Sequence, residues 1–329
     1  MKRFQHCAQR SVLSGTVHLW GSAGFLSQGE NSRPGRQSDS ASIDSEPSVG
    51  VRVHLPMDTN LLIQKFAKLG ARVKVRPLAT NRWRQASGPV VIDIGTDRRG
   101  EFYEIQARDD ADVQVLDLQP KDRHLLLMVR QPADRLGLPD TKDKFLCGHD
   151  ERHWFVASVP ESAPVSSVVT AKEALKPEIV RHLESGKKGK RKDRQRRKTD
   201  TFVRQGEWFF IPAPGVTADP KLILQNEPLR RGRGKPHMCE FLYRTGGTTV
   251  YVCGQFPNGL TEKERKALLG RNPRAAKFNW TAMQRDPTVF VRGRVSHWDH
   301  ATIDLDGWHR VAMNTENQSR AMEFVAFLD

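Results

Sequence analysis

Residues 187–198 read KKGKRKDRQRRK, with nine cationic side chains, one acid and no apolar residue. Such a block has nothing to bury in a core, and its like charges repel one another. It therefore divides the 329-residue chain into two stretches that must each find a core on its own side. That length suits two ordinary domains. The block carries +8 of the formal +15, leaving +7 for the other 317 residues.

Composition sets outer limits. With 37% hydrophobic and 28% charged residues and a mean hydropathy of −0.59, the chain is polar but has enough apolar side chains to fold. No run approaches about 20 apolar residues, which excludes a membrane-spanning helix. Four cysteines exclude a disulfide scaffold and point to a reducing, cytoplasmic setting. Residues 1–50 are polar, with frequent Ser and Gly, and are expected to form a disordered tail. Lys2, Arg3 and Arg10 precede the first acid, Glu30, as in a transit peptide; a plain tail and an over-extended reading frame are the alternatives.

Folding is expected to begin near Val51. Thr59 is placed to cap a short helix with Leu61, Leu62, Phe66 and Leu69 as its inward stripe and Gly70 as its stop. β-like runs follow at 71–76, 88–95, 101–106, 112–118, 123–130 and 153–159, at the spacing of an antiparallel sheet. A helical pattern returns at Val168–Leu175, and Pro177 suits the first residue of a second helix ending near Ser185.

Beyond the basic block, RQGEWFFIP (204–212) reads as one strand halted by Pro212. Runs 237–244 and 248–254 are expected to form a hairpin through Gly246-Gly247. Thr261 and Glu264 form a capping box, predicting a helix over 261–270. TVFVRGRV (288–295) alternates like a strand. Residues 301–313 predict two strands around a tight Asp306-Gly307 turn with Trp308 inward. Asn314–Leu328, with Met322, Phe324, Val325 and Phe327, suits helix or strand.

Several constellations carry chemistry. His237, His297, His300 and His309 lie in the second half, with Asp299 and Cys239 nearby in sequence; imidazoles and carboxylates that converge bind Zn, Fe or Mn. The expected hairpin would pair Asp304 with His309 and hold His300 about 13 Å further along the ladder. That removes His309 and leaves His237, His297 and His300 as the metal set. Cys147, His149 and His153 suggest half a zinc site or a Cys nucleophile with a His base, against a plain loop. Asp93 followed by Glu104 on the next strand resembles a nuclease metal pair, but Gln106 stands where that pattern has Lys. RRGRGK (230–235) lacks P-loop spacing and reads as a mobile anion-binding loop.

Arg204, Gln205, Gly206 and Glu207, together with His297, His300, Ile303, Leu305 and Gly307, resemble a family of small uncharacterised proteins found around phages and mobile elements. In that family an Arg-Gln-Gly-Asp-type strand opens the domain and a His-rich turn closes it; Glu207 stands here for the Asp. The resemblance covers about a third of the chain. It implies a β-rich fold and a mobile-element setting, and no activity.

The expected fold is α+β: two β-rich domains with mainly antiparallel sheets and a few short helices, at 51–186 and 204–329, joined by a basic disordered linker at 187–203. The leading functional reading is a non-enzymatic binding or accessory protein that contacts nucleic acid without sequence preference. Its contacts would be Lys187, Lys188, Lys190, Arg191, Lys192, Arg194, Arg196, Arg197 and Lys198, with Arg230, Arg231, Arg233 and Lys235 in the second basic loop. No aromatic residue is interleaved in the block, so base stacking is absent there. The rival is a metal-dependent enzyme with a cupin-like site holding Zn, Fe or Mn. A structural subunit of a larger assembly is the third reading.

Overall fold

Helix α1 (Thr59–Ala67) is the first described element and is capped by Asp58, whose carboxylate accepts from the Leu61 N–H at 2.9 Å. The cap thus falls one residue before the expected Thr59. Leu62, Phe66 and Leu69 are buried, but Leu61 is 47% exposed, so the inward stripe is narrower than the pattern suggested. The structure is a computed structural model that describes residues 58–78, 88–108, 110–131, 140–187, 191–231 and 234–321. The expected tail, the residues just after Val51, Lys188, Lys190, Arg233 and the run from Met322 to Phe327 lie outside these.

Strands β1 (Val73–Pro77), β2 (Val90–Asp97) and β3 (Gly100–Ala107) form a three-stranded sheet in the order β1-β3-β2. β2 and β3 pair antiparallel, and β1 lies parallel to β3. Next come β4 (Asp112–Gln119), β5 (His124–Gln131), β6 (Thr141–Asp150) and β7 (His153–Val159), an antiparallel sheet in chain order. Leu125, Leu127, Phe145 and Cys147 pack with α1 and the first sheet. Leu126, Leu146, Ala157 and Val159 face the other way, onto α2 (Val168–Ala174). β6 was hidden in the sequence for this reason: a strand covered on both faces shows no alternation. α3 (Glu178–Ser185) ends at Ser185 as expected, but Pro177 is its N-cap and not its first residue.

The basic segment differs from the expected disordered linker over residues 191–203. It begins as a single turn, α4 (Arg191–Arg194), and a bridge joins Lys198 to Val203. Arg197 is ion-paired with Asp150 and Glu151. Phe202 is buried with Val180, Phe209 and Ile211. Charge repulsion within the block is relieved by acids that lie far away in sequence. Contacts also run between the chain on either side: the Thr315 hydroxyl donates to Ala174 O at 2.7 Å, and Ser158 Oγ donates to Glu316 O at 3.3 Å.

The remaining strands are β8 (Val203–Gln205), β9 (Trp208–Pro212), β10 (Ile223–Leu229), β11 (His237–Thr245), β12 (Thr248–Cys253), β13 (Phe256–Thr261), β14 (Thr281–Arg285), β15 (Thr288–Ser296) and β16 (Ile303–Met313), with α5 (Glu262–Arg271) between β13 and β14. Six of them form one antiparallel sheet in the order β10-β11-β15-β16-β9-β8; the other three form the sheet β13-β12-β14. α5 carries the expected capping box, with Glu264 N–H donating to Thr261 Oγ1 and Thr261 N–H to Glu264 Oε2.

Three local expectations are corrected. The run 204–212 is a two-residue hairpin, with Gln205 opposite Trp208 across Gly206-Glu207. Gly246-Gly247 closes no hairpin: β11 pairs with β15, and β12 pairs with β14, so the two glycines carry the chain from one sheet to the next. Asp306-Gly307 is not a turn, because β16 runs through it as one strand. Val291 pairs with His309 and Gly293 with Leu305, so Asp306, Gly307 and Trp308 bulge opposite Arg292. Leu305 and His309 face inward, while half-buried Trp308 packs outside, 5.0 Å from the Arg292 guanidinium and 6.2 Å from the Tyr243 ring. An Asp-Gly pair accommodates a left-handed residue in a bulge as readily as in a hairpin, and pairing with β9 and β15 selects the bulge. Asp304 and His309 therefore share one strand and do not face each other.

Candidate metal centre

The start of β11, the end of β15, the loop into β16 and the β8–β9 turn meet at one end of the six-stranded sheet. Met238 is opposite Ser296 in the β11–β15 ladder, so His237 and His297 fall side by side. Their rings stack at 4.1 Å and 19°. His300, three residues further along the loop, folds back so that its ring centroid is 4.8 Å from that of His297 and 5.7 Å from that of His237. All three are buried, and a nitrogen from each lies within 4.8 Å of the others.

Neighbouring residues orient the rings. Gln205 Nε2 donates to Ala301 O at 2.7 Å and Val295 O at 3.3 Å, which fixes its amide orientation. Its Oε1 then accepts from His237 Nδ1 at 2.9 Å, leaving the His237 Nε2 lone pair for the cluster. Glu207, also buried, brings Oε2 to 3.7 Å from that nitrogen. His297 Nδ1 accepts from the Asp299 N–H at 3.1 Å. Asp299 is paired in turn with Lys235 at 2.6 Å and faces His153 at 3.7 Å.

Gly206 makes the arrangement sterically possible. A Cβ there would lie 2.8 Å from His300 Nε2, and its φ of +57° is left-handed. Burial, then the neighbouring His297 and His237, hold the His300 imidazole down to about 3; burial and His237 also lower His297. Neutral imidazoles present lone pairs. His237 Nε2, His297 Nε2 and both His300 ring nitrogens are buried without a hydrogen-bond partner among the described residues, an unfavourable state unless another group satisfies them.

This donor set fits a divalent cation. Bonds of about 2.0–2.1 Å in tetrahedral geometry need nitrogens about 3.3 Å apart, so the cluster must close by up to about 1.5 Å. His297 would also have to release the Asp299 N–H for its Nε2 to bind as a neutral imidazole. His300, Gly206 and Glu207 line a cavity of about 400 Å³ whose other walls include His124, His149, His153 and Lys172.

The other candidate residues separate. Cys147 is fully buried in the core, and burial pushes its thiol up, which removes it as a nucleophile. Asp93 and Glu104 do sit opposite each other, but Glu104 pairs with Arg76 at 3.3 Å. In the basic segment, Lys187 donates to Thr201 Oγ1 at 2.9 Å, and Arg196 pairs with Asp193 at 3.1 Å. Arg194, Arg196 and Arg197 line the cavity. Lys198 and Arg230 are exposed, and Arg231 is paired with Glu316. Arg191 and Lys192 lie in α4.

Gln205, Gly206 and Glu207 lie outside the expected metal set, although the family resemblance groups them with His297 and His300. A two-residue Gly-X turn inside a strand pattern was the available signal for them. No family model, curated protein or solved structure matches the chain.

Proposed function

We propose that this chain is a divalent-metal-dependent enzyme whose ion is held by His237, His297 and His300, with Glu207 as the neighbouring carboxylate. The observation that carries this reading is the set of buried, unpartnered imidazole nitrogens within 4.8 Å of one another, with His300 and Glu207 on a cavity wall. Three protein ligands with a cavity on the open side are the pattern of a catalytic centre; a structural zinc site is closed by a fourth ligand. A bound Zn, Fe or Mn would supply Lewis acidity and an acidified water. Gln205 orients His237 through Nδ1, and Glu207, with Oε2 3.7 Å from His237 Nε2, would take a proton there. The test is metal content after purification without a His tag. Stoichiometric Zn, Fe or Mn that disappears in His297→Ala with His300→Ala, in a protein that keeps its circular dichroism, supports the reading. Metal-free wild type that takes up none of the three on dialysis overturns it.

A second reading, non-specific nucleic-acid contact, keeps Arg196, Lys198 and Arg230, which are exposed. A salt titration on a random duplex tests it, with the slope of log K against log salt changing by about −0.9 per phosphate engaged.

A further inference from the structure

The cavity beside the histidines is cationic for reasons unrelated to a metal. Seven Lys and Arg side chains line it against five carboxylates. All five have partners: Glu207 at His237, Asp299 at Lys235, Glu316 at Arg231, Asp150 at Arg197 and Arg204, and Asp122 at Lys172. Lys176 and Arg196 are held by Glu184 and Asp193 outside the lining. Lys172 on α2, Arg204 on β8 and His124 at the start of β5 approach from three separate elements. Lys172 has its carboxylate partner, Asp122, only at 3.8 Å, and that side chain is 56% exposed. Arg204 reaches Asp150 at 3.5 Å, and Asp150 also takes Arg197.

These groups repel one another. His124 is held down to about 4, first by burial and then by Lys172 and Arg204. Lys172 is lowered by burial, with Arg204 adding to it against the opposing pull of Asp122. An anion among them relieves all three. Phe155, Leu146, Leu175 and Phe209 give the same cavity apolar wall, and about 400 Å³ is the size of a small-molecule site, too small to enclose a duplex.

We infer that Lys172 and Arg204, flanked by His124, form an anion subsite for a small phosphate-bearing ligand, held in the same cavity as the histidine cluster. Its place in a reaction rests on the metal reading above; its existence does not. The guanidinium offers a planar fork and the ammonium a point charge, a pair that suits the oxygens of a tetrahedral anion.

The experiment is calorimetric titration of the full chain with inorganic phosphate at fixed ionic strength, with metal content measured on each sample. Wild type is expected to bind one phosphate. Lys172→Met and Arg204→Lys should each weaken binding by about tenfold, as loss of a charge-assisted hydrogen bond does, while leaving metal content unchanged. Lys198→Met, an exposed cation outside the cavity, should bind as wild type does. Persistence of phosphate binding in His297→Ala with His300→Ala supports the subsite even if the metal is lost. No saturable binding to wild type, equal weakening by Lys198→Met, or phosphate binding that vanishes only with the metal overturns it. So does binding of a random duplex without binding of phosphate. Metal content in wild type reports separately on the metal reading.

Discussion

Replacing Gly206 by Ala tests how the histidine cluster is assembled. The added Cβ would lie 2.8 Å from His300 Nε2, 3.3 Å from its Cδ2 and 3.4 Å from His237 Cε1. The first distance is shorter than a relaxed contact, and His300 is only 7% exposed, so the ring must leave its stacked position for the adjoining cavity. The left-handed backbone at φ +57° costs an alanine roughly 1–2 kcal/mol. Forcing a packed ring off its rotamer adds about 1–3 kcal/mol, for a total of about 2–5 kcal/mol. Gly70→Ala is the matched control, because its φ is +76° and no atom lies within 4 Å of the added Cβ; it should cost only the backbone share. Urea denaturation of the metal-free proteins reads the difference, and metal competition should show Gly206→Ala weakened by about tenfold or more, as displaced supporting contacts do. Equal losses for the two variants with unchanged metal affinity would refute the steric argument.

Gln205→Leu should leave Ala301 O, Val295 O and His237 Nδ1 without partners and cost about 2–3 kcal/mol in urea denaturation; a loss below about 0.5 kcal/mol would contradict the orienting role. Lys176→Met removes the ammonium that lies 2.7 Å from buried Glu184 and 3.1 Å from Glu173, and should destabilise by about 3–5 kcal/mol because a carboxylate stays buried without its cation. Thermal denaturation that is unchanged would show that Glu184 has found solvent. His124 is held at about 4, below the ordinary 6.5, so on acidification the unfolded chain takes its proton first. Stability should therefore fall as pH drops from 6.5 toward 4, by at most about 1.4 kcal/mol per pH unit for this group, and its share should level off below 4. His300 acts in the same direction, down to about 3. Lys172→Met should raise the His124 pKa in an NMR titration; an unchanged value would mean that burial and Arg204 depress it without Lys172.

Local signals settled the elements whose stability is local. Thr261 and Glu264 close a capping box within one helical turn, and Leu62 and Phe66 lie on one face of α1, so both were legible in the pattern. HWFVASV is β7 residue for residue, because its turn and apolar content are contained in the segment. The β-rich α+β class followed from many such runs. What failed were choices between equivalent pairings. Asp306-Gly307 and Gly246-Gly247 each permit a tight turn, and long-range pairing to β9, β14 and β15 decided otherwise. Repulsion within 187–198 argued for disorder as long as its partners were unseen; Asp150 and Glu151, more than 40 positions away, hold Arg197. The sequence alone named His237, His297 and His300 as a set, though partly through a hairpin that does not form. That they converge, and that Gln205 and Glu207 join them, depends on which strands end together at one edge of a sheet. Sheet order is set by the packing of side chains distant in sequence, and no local pattern of residues encodes it.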